Sequence, residues 1–200
     1  MPANRSSDLH GLVPDNSKAA LILIDVINRM DFPGSEKLIP SAEKMAKNLL
    51  RLKERATKAG IPSIYVNDNF GKWRSDFRAI VNSCLEKDVP GRKVAELLKP
   101  SEEDYFVLKP KHSGFYSTSL DLLLVHLGSK NLILTGIAIN ICVLFTANDA
   151  YMRDYNIIVP SDCVAEEDPE ESKNVLKLMK KVLKAEVKTS KSIDLKKLLR

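Results

Sequence analysis

Short apolar runs recur along the chain, each separated from the next by a stretch in which apolar residues return at helical spacing. Ala19 to Val26 (AALILIDV) is apolar except for one acid. It predicts a strand buried on both faces, with Asp25 at its C-terminal end. Ser41 to Ala59 reads as an amphipathic helix with Ser41 as its cap, Leu49, Leu50 and Leu52 inside and Gly60 as its stop. Ile61 to Val66 predicts the second strand, opening into the loop Asn67 to Arg74, which holds the single tryptophan. Weak helical signals follow at Phe77 to Leu85 and Lys93 to Leu98, each with a proline or glycine nearby. Tyr105 to Leu108 is a short strand that runs into Lys109, and Ser117 to Leu127 a helix closed by Gly128. Leu132 to Thr135 is the fourth strand; beyond Gly136, the residues Val143, Ala147, Ala150 and Tyr151 mark a helix with Cys142 in its first turn. Asn156 to Val159, the helix Pro169 to Leu183, the strand Glu186 to Thr189 and a helical segment Ile193 to Leu199 complete the chain.

Strands alternating with helices predict an α/β fold with three layers, α/β/α, around a six-stranded, largely parallel sheet. In such a sheet the active site lies outside the carboxyl ends of the strands. Asp25, Lys109 and Cys142 each stand at or just after such an end. The sheet would therefore gather an acid, a base and a thiol along one edge.

The 200 residues suffice for one domain, expected over residues 18–200 behind a polar, mobile lead of residues 1–17. No apolar run approaches the roughly 18 residues of a membrane span, and the polar start lacks the apolar core of a secretory signal. A cytoplasmic protein is expected. Three cysteines without paired spacing argue against a disulfide framework and against structural zinc. The net charge of +5 is a C-terminal property, because residues 173–200 hold ten of the 31 Lys and Arg but only two of the 26 Asp and Glu. Those lysines lie opposite Val175, Leu176, Leu178, Met179, Val182 and Leu183 with no aromatic residue among them. This is the pattern of a solvated helix face, and it predicts no nucleic-acid partner.

A thiol, a carboxylate and an ammonium within reach of one another suffice for attack on an amide or ester carbonyl. A helix start favours the thiolate through its unpaired N–H groups and dipole. Asp25 would accept the thiol proton and return it to the leaving amine, and Lys109 would counter the negative charge beside it. The backbone N–H of Cys142, with one from the Gly136-Ile137-Ala138 turn, would stabilise the carbonyl oxygen. A small buried core cysteine is the plainer alternative for Cys142.

Three ordered motifs carry a resemblance: Leu23-Ile24-Asp25-Val26-Ile27-Asn28, Leu108-Lys109-Pro110-Lys111-His112-Ser113-Gly114-Phe115 and Thr135-Gly136-Ile137-Ala138-Ile139-Asn140-Ile141-Cys142-Val143. With Thr146 to Ala150 and Asp162, the chain from about residue 18 to 190 resembles the isochorismatase-like cysteine hydrolases, a family with a Rossmann-like fold that includes nicotinamidases and N-carbamoylsarcosine amidase. The resemblance implies a catalytic triad of Asp25, Lys109 and Cys142, a cis peptide between Ile137 and Ala138, and an oxyanion hole formed by the N–H groups of Ala138 and Cys142. It also implies a small-molecule amide or ureido substrate cleaved through a thioester, and a homo-oligomer. Nicotinamidases carry an Asp and several His near the end of the second strand that bind a metal. Here Asp68 has no histidine near it, so no metal, no other cofactor and no nicotinamide specificity are expected.

Around the site, Asn67, Phe70, Trp73 and Arg74 are candidates to contact substrate, Arg74 by pairing with a carboxylate. A loop anchored by its own aromatics is the alternative. Asn28 is expected to orient Asp25 or the backbone near it. His112 either approaches the site or is a surface histidine; His126 reads as structural, Cys84 and Cys163 as inert, and Asp162 as a cap on local backbone. Ester or vinyl-ether hydrolysis at the same site, and a non-catalytic module binding through its basic C-terminal helix, are the competing functions.

Overall fold

The computed structural model describes residues 16–71 and 76–200. Most of the expected lead, together with Trp73 and Arg74, lies outside the described residues. Ser17 is buried: its hydroxyl donates to the carbonyl of Ala19 at 2.8 Å and its carbonyl accepts from the Ser129 hydroxyl at 2.8 Å.

In chain order the elements are β1 (Ala19–Ile24), α1 (Ser35–Lys58), β2 (Ser63–Asp68), α2 (Phe77–Cys84), α3 (Arg92–Leu97), β3 (Tyr105–Lys109) and α4 (Leu120–Leu127). They continue with β4 (Asn131–Ile137), α5 (Leu144–Tyr151), β5 (Asn156–Pro160), β6 (Val164–Ala165), α6 (Pro169–Val182) and β7 (Glu186–Lys188). The sheet order is β3-β2-β1-β4-β5-β7, with β6 paired to the end of β4, and every pairing is parallel.

Strand β1 shows why the sheet is covered on both sides. Its residues alternate between two cores: Ala19, Leu21 and Leu23 face one, Ala20, Ile22 and Ile24 the other, and all six are fully buried. The first core is closed by Leu38, Met45, Leu49 and Leu52 of α1 with Phe77 and Ile80 of α2 and Val94 of α3. The second is closed by Leu120 and Leu124 of α4, Ala147 and Ala150 of α5, and Val175 and Met179 of α6. This is the expected three-layer α/β/α arrangement.

Four local expectations need correction. The sheet has seven strands among the described residues, because the two-residue β6 is too short to leave a periodic signal. Helix α1 starts at Ser35 behind Gly34, whose left-handed φ of 89° turns the chain into it. Pro40 then falls inside the helix, and the Ser41 hydroxyl, rather than capping, donates to the carbonyls of Leu38 at 2.9 Å and Glu166 at 2.7 Å. The segment 193–199 is no regular helix; short 3-10 turns at Ser190–Ser192 and Lys197–Leu199 replace it. On α6 the buried stripe is narrow, and Leu178 and Val182 face outward. Among the described residues no helix is long and apolar enough to cross a membrane.

Candidate active site

The site forms where β1, β2, β3 and β4 end. Asp25 leaves β1 with a left-handed φ of 50°, its N–H still donating to the Val66 carbonyl at 3.0 Å. Asp tolerates this conformation better than most side chains. The turn carries the chain across the sheet edge and leaves the carboxylate 5% exposed.

Lys109, the last residue of β3, is fully buried. Between β3 and β1 lies β2, so the two backbones stand roughly 10 Å apart, two interstrand spacings. The four-carbon stem of Lys109 spans the larger part of this, and the Asp25 side chain closes the rest. The Lys109 Nζ stands 2.8 Å from Asp25 Oδ2, 3.5 Å from Asp68 Oδ2 and 3.6 Å from Cys142 Sγ, and donates to the Lys111 carbonyl at 3.1 Å. Asp68 is the partner of Lys109 in the β2–β3 register, and its N–H donates to Asp25 Oδ1 at 2.6 Å.

Cys142 comes from the other side of β1. Gly136, at φ 114°, ends the pairing of β4 with β1 so closely that a Cβ there would lie 2.0 Å from the Ile24 carbonyl oxygen. The Ile137–Ala138 peptide is cis. A π turn over Ile139–Val143 then precedes α5, and the Val143 N–H donates to the Ala138 carbonyl at 3.2 Å. The half-buried thiol of Cys142 lies 3.6 Å from Lys109 Nζ and feels the Asp25 carboxylate. Thr146 locks this turn by donating to the Cys142 carbonyl at 2.7 Å while accepting the Gly114 N–H at 2.9 Å.

Electrostatics assign the protons. Burial pushes the Asp25 carboxyl above its ordinary value, against the opposing pull of Lys109 and the thiol hydrogen bond. Burial also disfavours the Lys109 ammonium, but Asp25, Cys142 and Asp68 together outweigh it and raise the amine above its ordinary value. The Cys142 thiol is pushed up to about 12 by burial and by Asp25, with Lys109 only partly opposing. Against the pull of a helix start toward the thiolate, burial and the Asp25 carboxylate both favour the protonated thiol.

Both asparagines near Asp25 bond backbone that follows it. Asn67 lies inside β2 and is fully buried, accepting the Ile27 N–H at 3.2 Å and donating to the Ile27 carbonyl at 2.8 Å. The strand runs two residues further than its apolar run, and the amide fastens the segment after Asp25. Asn28 instead accepts the Met30 N–H at 2.8 Å and shapes that local turn. Phe70 stands just past β2, exposed, at a left-handed φ of 50°. His112 comes to the site, with Nδ1 4.0 Å from Cys142 Sγ. Cys84 and Cys163 are fully buried, and Asp162 accepts the N–H and hydroxyl of Ser190 at 2.6 and 2.8 Å. Asp68 and Thr146 are site residues that the sequence did not single out. Asp68 had a legible signal, since the middle strand of three parallel neighbours must place its last residue between the other two.

The donor set does not suit a metal. Among the described residues no three His, Cys, Asp or Glu side chains are arranged to hold a metal ion: the Lys109 ammonium occupies the space between Asp25, Asp68 and Cys142, and Asp68 also accepts the Phe70 N–H at 2.6 Å.

A doubly covered parallel sheet that gathers a thiol, a carboxylate and an ammonium at its carboxyl edge is the layout of an α/β hydrolytic enzyme. The chain belongs to the isochorismatase family of hydrolases: the isochorismatase domain matches residues 19–192. It is 43% identical over 174 residues to the isochorismatase family protein YaaI of Bacillus subtilis, covering 87% of this chain and 95% of that one. It is 26% identical over 187 residues to the ureidoacrylate amidohydrolase RutB of Acinetobacter baylyi, covering 80% and 75%. The crystal structure of N-carbamoylsarcosine amidase from Thermoplasma acidophilum superposes with a TM-score of 0.69 at 32% identity, covering 88% of this chain and 99% of that one.

Proposed function

We propose that this protein is a cysteine amidohydrolase that cleaves the C–N bond of a small amide or ureido compound through a thioester on Cys142. One observation carries the reading: a single buried ammonium, Lys109, touches both the Asp25 carboxylate and the Cys142 sulfur. The names of two relatives, a carbamoylsarcosine amidase and a ureidoacrylate amidohydrolase, support the substrate class.

In this mechanism Asp25, whose raised affinity for protons suits a base, takes the thiol proton as Sγ attacks the carbonyl carbon. Lys109 stays charged and offsets the negative charge passing to sulfur and oxygen. The N–H groups of Ala138 and Cys142 receive the carbonyl oxygen. Asp25 then delivers its proton to the nitrogen, the C–N bond breaks, and ammonia or an amine leaves. Water hydrolyses the thioester and restores the thiol. Phe70 stands at the mouth as a wall for substrate, with Trp73 and Arg74 its proposed companions.

The three free thiols support work in the reducing cytoplasm. Exposed apolar side chains at Leu122, Val125 and Met152 support a homo-oligomer, which light scattering tests. The deciding experiment is ammonia release from a panel of primary amides, N-carbamoyl amino acids and ureido acids, each run beside Cys142→Ala. Cys142-dependent release from one class supports the reading. Turnover of only esters or vinyl ethers would replace it with the alternative reactions, and no Cys142-dependent turnover would leave the binding module.

A further inference from the structure

We propose that His112 is a second proton carrier of this site, the base that activates water to release the acyl group from Cys142; this rests on the thioester mechanism above. The two sides of the sulfur differ. On the protein side stand Asp25 and Lys109, both buried, with Asp25 Oδ1 taken by the Asp68 N–H and Oδ2 by the ammonium. On the solvent side stands the exposed imidazole of His112, Nδ1 4.0 Å from Sγ, its ring 5.5 Å from that of Phe145. Once a thioester has formed, the acyl carbon is bonded to that sulfur. Water arriving from solvent meets His112 before it meets Asp25.

The imidazole is held there by its neighbours. Lys111, before it, gives its carbonyl to Lys109 Nζ, and Ser113, after it, is hydrogen-bonded to the Asp149 carboxylate on α5. The Gly114 N–H donates to Thr146, which in turn bonds the Cys142 carbonyl. Gly114 itself leaves no room for a side chain, since a Cβ would lie 2.7 Å from Val66 Cγ1. The backbone before His112 is thus fastened to Lys109, and the segment after it to the helix that follows Cys142. An exposed ring so anchored stays beside the sulfur.

The step balances. One water proton passes to His112 as the water oxygen bonds to the thioester carbon. The C–S bond breaks, and the departing thiolate takes back the proton that His112 holds, across the Nδ1 to Sγ contact. The carboxylic acid keeps the other water hydrogen and loses it to solvent.

Para-nitrophenyl acetate tests this without knowledge of the natural substrate. In His112→Asn the first equivalent of nitrophenolate should appear as fast as in the wild type. Steady release should then fall about 100-fold, as expected for loss of a general base, with an acetyl adduct on Cys142 visible by intact mass. Free imidazole should speed release in His112→Ala. Steady release unchanged in His112→Asn, or a first turnover slowed in step with it and no adduct, would overturn the role of His112. Absence of any Cys142-dependent first turnover in the wild type would instead overturn the thioester mechanism itself.

Discussion

Strand β3 carries a buried lysine–carboxylate pair at each end, and only one of them has a thiol beside it. At its start Asp104 pairs with Lys53 at 2.6 Å, the side chains 7% and 12% exposed. At its finish Lys109 pairs with Asp25 at 2.8 Å, 0% and 7% exposed. Distance and burial do not separate them; the remaining partners do. Asp104 Oδ2 also accepts the N–H and hydroxyl of Ser101 at 2.6 and 2.8 Å, and Lys53 lies 5.2 Å from the Tyr65 ring centre. Lys109 and Asp25 share their pocket with a thiol and a second carboxylate, so a proton there has somewhere to go. A buried ion pair by itself says little about function; a titratable third partner at the carboxyl edge of a parallel sheet says much more.

The largest expected effect removes that third partner. Cys142→Ala should lower turnover by about 10⁴-fold or more, as loss of a nucleophile does. Its melting temperature should stay near that of the wild type, because the thiol is half-buried and its loss removes one small atom. Ammonia release and a thermal melt on the same sample check both. Substantial residual turnover would mean that the two pairs differ for some other reason.

Next come the lysines themselves. Lys109→Met leaves the Asp25 charge without its main partner, which costs about 3–5 kcal/mol for a buried pair. It also removes the influence that holds the Asp25 carboxyl down. Asp25 then holds a proton more tightly, and turnover should fall about 10³-fold. Lys53→Met should lower stability by a comparable amount while activity per folded molecule stays within about twofold. Urea unfolding with activity assays separates the two, and equal activity losses would erase the contrast.

The alternation of strands and helices was readable because β1, β2 and β4 are buried on both faces, which leaves unbroken apolar runs. Asp25 and Lys109 were readable as candidates for a related reason, as each stands at the end of such a run, while Cys142 was marked by its place in the first turn of the helix expected after Gly136. What escaped was set by partners distant in sequence. Helix α1 runs back to Ser35 through Pro40 because Leu38 finds the core formed with α2 and α3. Strand β6 exists because Gly136 and Ile137 need a neighbour beyond β5. Asn67 looked like a loop residue because asparagine is common in loops, but its bonds to Ile27 make it part of the sheet edge. Asp68 was weighed only as a metal ligand, although its place between Asp25 and Lys109 follows from the strand order.

Titration probes the active pair more gently. Asp25 acts as a base only when ionised, and burial raises its carboxyl above the ordinary 3.8. Activity should therefore decline on the acid side at a pH above that ordinary range, and a pH profile of kcat/KM will show where. Alkylation should show the matching property of the thiol. With Cys142 pushed up to about 12, iodoacetamide should modify it at neutral pH more slowly than it modifies an ordinary free cysteine, and faster as pH rises. Rapid alkylation at neutral pH would mean that the resting site holds a thiolate and that Lys109 outweighs Asp25.

Among the changes at the sheet edge around Asp25 the smallest expected effect on activity belongs to Asn67, and it tests whether that edge resembles the structural pair or the reactive one. Its amide closes two hydrogen bonds to the backbone of Ile27, two residues beyond Asp25. Asn67→Ala leaves a buried N–H and a buried carbonyl unpaired, which costs about 2–4 kcal/mol. Asp25 keeps its own ties, its N–H to Val66 and its carboxylate to Asp68 and Lys109. The carboxylate should thus hold its place, and kcat per folded molecule should fall only about threefold through looser positioning. Urea unfolding and steady-state kinetics on one preparation give both quantities. A raised KM with unchanged stability would make Asn67 the substrate contact that its neighbours in sequence suggest. A stability loss with KM unchanged would make it the clasp that keeps the base of the reaction at the end of β1.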